Sequence, residues 1–278
     1  MDFNTILRNA RQNPAAEIPA GWTQGRATFG GLVAAMLYQQ IDSQLQNAQQ
    51  SAQGDAAAGS SEDAALRSMT ISFVAPAATG ELESRAQVLR AGRSAVQLEA
   101  RAHQGEQVVT AALASFGKPR TSSISVVPDK APEFREPQAC EALPYIEGLV
   151  PEFTQHFDYR IAAGAMPYSG SSEPCLGGWI RFKESAGPAT TGHLLALIDA
   201  WPPAVLSMLK DFAPASSLTW TLELMPAAFQ AQADSGDWWQ YLAEVEQAED
   251  GYAAIQARLW NAEGKLIALS RQTAAVFG

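Results

Sequence analysis

Two rhythms of apolar residues run along the chain. The segments Gly30-Gly-Leu-Val-Ala-Ala-Met-Leu-Tyr38 and Gly192-His-Leu-Leu-Ala-Leu-Ile-Asp-Ala200 are apolar on nearly every side, which predicts two helices buried almost all round. Each opens on glycine, whose missing side chain lets a helix start lie close against another backbone. The stretches Ser68–Ala78 and Leu218–Ala228 are rich in β-branched and aromatic residues, predict strands, and share a Pro-Ala-Ala ending. Ala95–Glu106 and Ala254–Lys265 form another matching pair, each a strand leading into a Gly-containing tight turn. These landmarks recur in one order, so the chain reads as an internal duplication.

Each half is then an apolar helix followed by long antiparallel strands, an α+β arrangement in which the sheet curls about the helix. The boundaries fall at 1–117 and 152–278. Between them, 118–151 carries prolines at 119, 128, 132, 137, 144 and 151, which block regular ladder pairing and predict an extended connector. Gln46 to Ala65 lacks an apolar period and predicts a mobile loop after the first helix, with an Ala-rich continuation of that helix as the alternative.

Composition narrows the function classes. With 47% hydrophobic and 17% charged residues in 278, the chain has material for a sizeable core, and disordered and fibrous classes are excluded. Nineteen Lys and Arg against 29 Asp and Glu give a net charge of -10, which would repel a nucleic acid. Cys140 and Cys175 are the only cysteines, too few for a disulfide framework and too far apart for a metal clip. The N-terminal residues lack a cationic head before an apolar run, and Leu194 to Leu209 is broken by Asp199 and Pro202-Pro203. Neither a signal peptide nor a membrane span is expected, and a cytoplasmic location follows.

The phosphate-loop, dinucleotide, nucleophile-elbow and zinc-protease motifs are missing from the sequence. His103, His156 and His193 do not cluster in sequence, so no metal centre is expected. Asp199 stands out as a carboxylate in an otherwise apolar helix. Burial would raise its pKa and make it a stronger base toward water, although a solvent-facing place ahead of the Pro202 stop also fits the pattern. Thr219 and Gln272 are polar residues in apolar strands that could hydrogen-bond a water or an oxyanion; strand alternation also accommodates both as outward residues.

Several segments together resemble the double-hotdog acyl-CoA thioesterases of the type II kind. They are Gln24-Gly-Arg-Ala-Thr-Phe-Gly-Gly31, Ser72-Phe-Val-Ala-Pro76, Leu89-Arg-Ala-Gly-Arg-Ser94 with the strands to Phe116, the Asp199 helix, the Thr219 strand and the terminal Gln272 strand. Their order and their coincidence with the repeat carry the resemblance. It implies two tandem hotdog halves and hydrolysis of an acyl-CoA thioester by a water that Asp199, Thr219 and Gln272 activate and hold. The family's strand continues with Asp-His where this one has Thr221-Leu222, which leaves Ser217 and Thr221 as alternatives to Thr219.

The resemblance implies neither metal nor organic cofactor. Gly30 and Gly31, at a helix N-terminus, are candidate oxyanion donors, with close helix packing as their alternative role. Arg26, Arg90 and Arg93 are candidates for the CoA phosphates, with solvated surface positions as the alternative. Some of Trp201, Trp220, Trp238, Trp239 and Trp260 could line an acyl tunnel, and the others fill the core. Two rival readings remain. A non-catalytic acyl-CoA or lipid-binding module would keep the tunnel alone, and an enoyl-CoA hydratase is disfavoured because Ala204 stands where hotdog hydratases place a histidine. Exposed sheet edges also predict a homo-oligomer.

Overall fold

The computed structural model describes residues 1–53, 64–184, 187–229 and 233–277. The chain opens with helix α1 (Phe3–Gln12), which the apolar rhythm did not single out. Asp2 caps it, its carboxylate accepting from the Thr5 backbone N–H at 2.9 Å and from the Thr5 hydroxyl at 2.7 Å. Its buried residues Phe3, Ile6, Leu7 and Ala10 follow the spacing of one helical face. Short strands β1 (Ala15–Ile18), β2 (Thr23–Gln24) and β3 (Ala27–Thr28) lead to helix α2 (Gly30–Gln53). The sequence reading ended this helix near residue 46, but the Ala- and Gln-rich segment keeps helical geometry to Gln53. The rest of the expected loop, 54–63, lies outside the described residues.

Strands β4 (Ala65–Phe73), β5 (Gly80–Ala91), β6 (Ala95–Gln104) and β7 (Gln107–Gly117) follow. The segment 118–151 holds β8 (Glu141–Ala142), and after it come β9 (Phe157–Gly164), β10 (Cys175–Phe182), helix α3 (Thr191–Asp199), β11 (Ala215–Leu224), β12 (Trp239–Glu249), β13 (Tyr252–Trp260) and β14 (Leu266–Val276). Their order in one antiparallel sheet is β1-β5-β6-β7-β4-β11-β14-β13-β12-β10-β9-β8. The strands expected at 68–78 and 218–228 stop at Phe73 and Leu224, short of Pro76 and Pro226, where a ring would remove a ladder donor.

The earlier and later strands join through β4 and β11, with Thr219 opposite Ser72, Trp220 opposite Ile71 and Thr221 opposite Thr70. On one face the Thr221 hydroxyl donates to that of Thr70 at 3.2 Å. On the other, fully buried Trp220 donates from its indole N–H to Ser270 Oγ at 2.9 Å. The proline-rich segment 118–151 runs against β13 and β10: Trp260 donates to Asp129 O at 3.1 Å and Trp179 to Arg135 O at 2.8 Å. It is not wholly free of ladder pairing, because Glu141 and Ala142 pair with Ile161 and Arg160.

Helices α2 and α3 pack against each other on the inner side of the sheet. Leu32 to Leu37 and Leu194 to Leu197 are all buried, as a helix covered on every side requires. They meet where Gly31 faces Ala196: a side chain at position 31 would bring its Cβ to 3.0 Å from Ala196 Cα and 2.4 Å from Phe29 Cζ. Over-packing of this kind costs about 1–3 kcal/mol when the backbone must move. Gly31→Ala is therefore expected to lower the unfolding free energy by that amount, read as a lower urea midpoint at unchanged slope, and an unchanged midpoint would show that the crossing is not tight.

Candidate active site

Asp199 is the last residue of α3, which begins at the Thr190 cap and stops before Pro202-Pro203. The side chain is half-buried. Gln272, on β14, donates from Nε2 to Asp199 Oδ1 at 2.6 Å, and the backbone N–H of Gly31 also donates to the carboxylate. Two elements distant in sequence thus converge on one side chain. Gly30 borders the other oxygen: a Cβ there would stand 2.8 Å from Asp199 Oδ2 and 2.9 Å from Phe73 Cζ.

Burial pushes the Asp199 carboxyl up to about 7 from its ordinary 3.8, and the bonds from Gln272 and Gly31 pull only partly the other way. Its apolar flank explains the direction. Trp201 stacks on Tyr241 with ring centroids 5.5 Å apart and meets Tyr159 edge-on at 5.6 Å. The Tyr159 hydroxyl donates to Ala200 O at 3.1 Å. Burial pushes both tyrosine phenols up, and the negative charge of Asp199 adds to it. A carboxyl that exchanges its proton near neutrality, with one oxygen anchored, can accept a proton from water.

Of the other candidates, Gln272 lies on Asp199, whereas Thr219 does not share its face of the sheet. Trp220 is opposite Gln272, so its neighbour Thr219, opposite Thr273, points outward and is exposed. A bulge between Ser217 and Thr219 shifts the register. Ser217 falls opposite buried Ala274, two residues from Gln272, and so stands on the inner face. Thr221 faces outward with Thr70. Of the three hydroxyls, Ser217 is the one on the Gln272 side.

Arg26 is exposed in the turn between β2 and β3, just ahead of Gly30. The structure does not bring Arg93 to Asp199. It lies in the β5–β6 turn with Arg90 nearby, beside Gly117 and the Ala65 end of β4, whereas Gly30 packs at the Phe73 end. The length of β4 separates them. Phe73, Tyr159 and Tyr241 were not singled out individually from sequence, because burial near Asp199 leaves no local signature in a strand. Among the described residues no group of three or more His, Cys, Asp or Glu is placed to hold a metal ion.

The raised carboxyl has a thermodynamic consequence. The folded state holds this proton more tightly than the unfolded chain, so stability is lost as pH rises from about 4 through about 7 and the cost is complete above that. Asp199→Asn removes the cost. The variant is expected to gain stability over the parent by up to about 4 kcal/mol at pH 8, with the gain fading toward pH 4. Denaturation at the two pH values checks it, and an equal difference at both would refute the raised pKa.

Over residues 137–276 the sequence matches the acyl-CoA thioesterase C-terminal domain, and over 18–117 the N-terminal domain. No curated protein matches it. Among solved structures, it is similar to a conserved protein of unknown function with a hot dog fold from Alicyclobacillus acidocaldarius, at TM-score 0.79 and 20% identity, covering 95% of this chain and 92% of that one. A proposed thioesterase II from Thermobifida fusca gives TM-score 0.74 and 22% identity over 95% and 92% of the two chains. The acyl-CoA thioesterase II TesB2 of Mycobacterium marinum gives 0.67 and 16% over 98% of both. These likenesses establish the hotdog fold. With both domain matches in their expected order, the chain belongs to the acyl-CoA thioesterase family.

Proposed function

We propose that the protein hydrolyses an acyl-CoA thioester with Asp199 as general base. The observation that carries this reading is a half-buried carboxyl anchored on one oxygen by Gln272 and raised to about 7. We read the chain as a double hotdog, with halves 1–117 and 152–278 joined by the connector 118–151. The helix–sheet repetition and the β4–β11 junction support that division.

In the proposed reaction, Asp199 takes a proton from a water that Gln272 and an inner-face hydroxyl orient. The oxygen of that water bonds to the thioester carbonyl carbon, and the electron pair of the C=O bond moves onto oxygen. Collapse restores the carbonyl and breaks the C–S bond. The CoA sulfur leaves with the proton that Asp199 had taken, giving a free acid and CoA. No cofactor is called for. The N-terminal end of α2 at Gly30 is poised to stabilise the developing oxyanion, since helix dipole and backbone N–H groups favour negative charge there. Gly31 is already engaged by Asp199, which supports a positioning role for it. Arg26 is the arginine we retain for a CoA phosphate.

No helix among the described residues is long and apolar enough to cross a membrane. A cytoplasmic enzyme acting on a diffusible CoA ester fits that feature. The sheet ends at β1 and β8, and their unpaired backbone supports self-association as the quaternary reading.

Free-thiol release from short, medium, long and aromatic acyl-CoAs tests the reaction. Asp199→Asn is expected to lower turnover at least a hundredfold while remaining folded, and the parent's kcat/KM should rise with pH through about 7 as Asp199 loses its proton. Unchanged turnover in the variant would remove Asp199 from the chemistry, and acyl-CoA binding without cleavage by the parent would favour the binding-module reading. The water-positioning hydroxyl is tested separately. Ser217→Ala should lower kcat by about tenfold or more and Thr219→Val should not; the reverse would return the role to Thr219.

A further inference from the structure

Helix α3 stops abruptly after Asp199. The last carbonyls of a helix have no donor within it, and the residues whose N–H would next reach Ile198 O and Asp199 O are Pro202 and Pro203, which have none. A side chain from another element holds the turn instead. The Tyr159 hydroxyl, on β9, donates to Ala200 O at 3.1 Å, and Ala200 is the residue that follows Asp199 and caps α3. Three elements thus act on two consecutive residues: β9 on Ala200, and β14 and α2 on Asp199 through Gln272 and Gly31.

Tyr159 is itself fixed in place. It is 1% exposed, it stands opposite Ile180 of β10, and its ring meets Trp201 edge-on at 5.6 Å and Phe157 at 6.0 Å. Burial holds the phenol protonated, well above its usual range, so it remains a donor at every pH at which Asp199 exchanges its proton.

We propose that Tyr159 is a positioning residue: by pinning the Ala200 carbonyl it fixes the end of α3, and with it the Asp199 carboxyl, against Gln272 and Gly31. The inference rests on the reading of Asp199 as the general base, and it requires no contact between Tyr159 and substrate. Without the hydroxyl a buried carbonyl is orphaned, and the last turn of α3 relaxes toward water. Burial outweighs the bonds from Gln272 and Gly31 in setting the Asp199 carboxyl near 7, so that relaxation lowers it toward 3.8. The other titratable groups coupled to Asp199 are the phenols of Tyr159 on β9 and Tyr241 on β12, both pushed up by burial. Gly31 of α2 and Gln272 of β14 do not titrate. A base displaced by about 1 Å from its water loses turnover and leaves substrate affinity as it was.

Tyr159→Phe removes the donor and keeps the ring. Carboxyl ¹³C titration of the full chain labelled at aspartate, with the Asp199 signal identified by its loss in Asp199→Asn, should place the Asp199 midpoint about one pH unit or more below the parent's. With an acyl-CoA that the parent cleaves, kcat should fall about tenfold at unchanged KM. If Tyr159→Phe does not fold, 4-methylphenylalanine at position 159 takes its place, since it fills the space of the hydroxyl and cannot donate. The same position carrying 4-aminophenylalanine regains a donor and should return both readouts to the parent's. An unchanged Asp199 midpoint in a folded variant without the donor would overturn the proposal, as would a lowered midpoint that 4-aminophenylalanine fails to restore. The titration needs no substrate. A parent that cleaves no acyl-CoA would count against the thioesterase reading, and the midpoint would still decide whether Tyr159 positions Asp199.

Discussion

The crossing of α2 over α3 at Gly31 and Ala196 is the contact on which the rest depends. Two helices apolar on every side can share the inner face of one sheet only if their backbones approach closely, and a side chain at position 31 would hold them apart. The same approach delivers the first turn of α2 to the last residue of α3. Helix packing and the placement of Asp199 therefore rest on one geometric fact: the glycine that lets the helices touch also offers its N–H to Asp199.

That placement sets the electrostatics. A carboxylate at the end of an apolar helix, against Trp201, Tyr159 and Tyr241, loses much of its hydration, and two hydrogen bonds do not fully replace it. The result is a carboxyl near neutrality instead of one fixed as an ion. The repeat shows the contrast. The position of the first helix that aligns with Asp199 is Leu37, which is fully buried and contributes to packing alone.

Gln272 and Thr219 show how far a pattern of residues carries. Both are polar residues in apolar strands, and nothing in local sequence separates them. Pairing of β11 with β14 does, because it puts Gln272 with Trp220 on the inner face and Thr219 with Thr273 on the outer one. The bulge at Leu218 then returns Ser217 to the inner face. One inserted residue changes which hydroxyl faces the site, since side chains alternate with a period of two. Arg93 follows the same logic at larger scale. Its turn lies at the remote end of the sheet, a fact of strand direction and length that composition does not carry.

By itself, the sequence determined what depends on local periodicity and on repetition: two helices buried all round, the long strands, the duplicated order and an anomalous carboxylate at residue 199. Those features are legible because burial on every side, or on alternate sides, must be written into consecutive residues. The tertiary structure alone decided that α2 extends to Gln53, that Gly31 and Gln272 meet at Asp199, and that Ser217 faces inward. Each of these depends on contacts between residues far apart in the chain, where register, bulges and backbone approach set the outcome and short-range pattern has no hold.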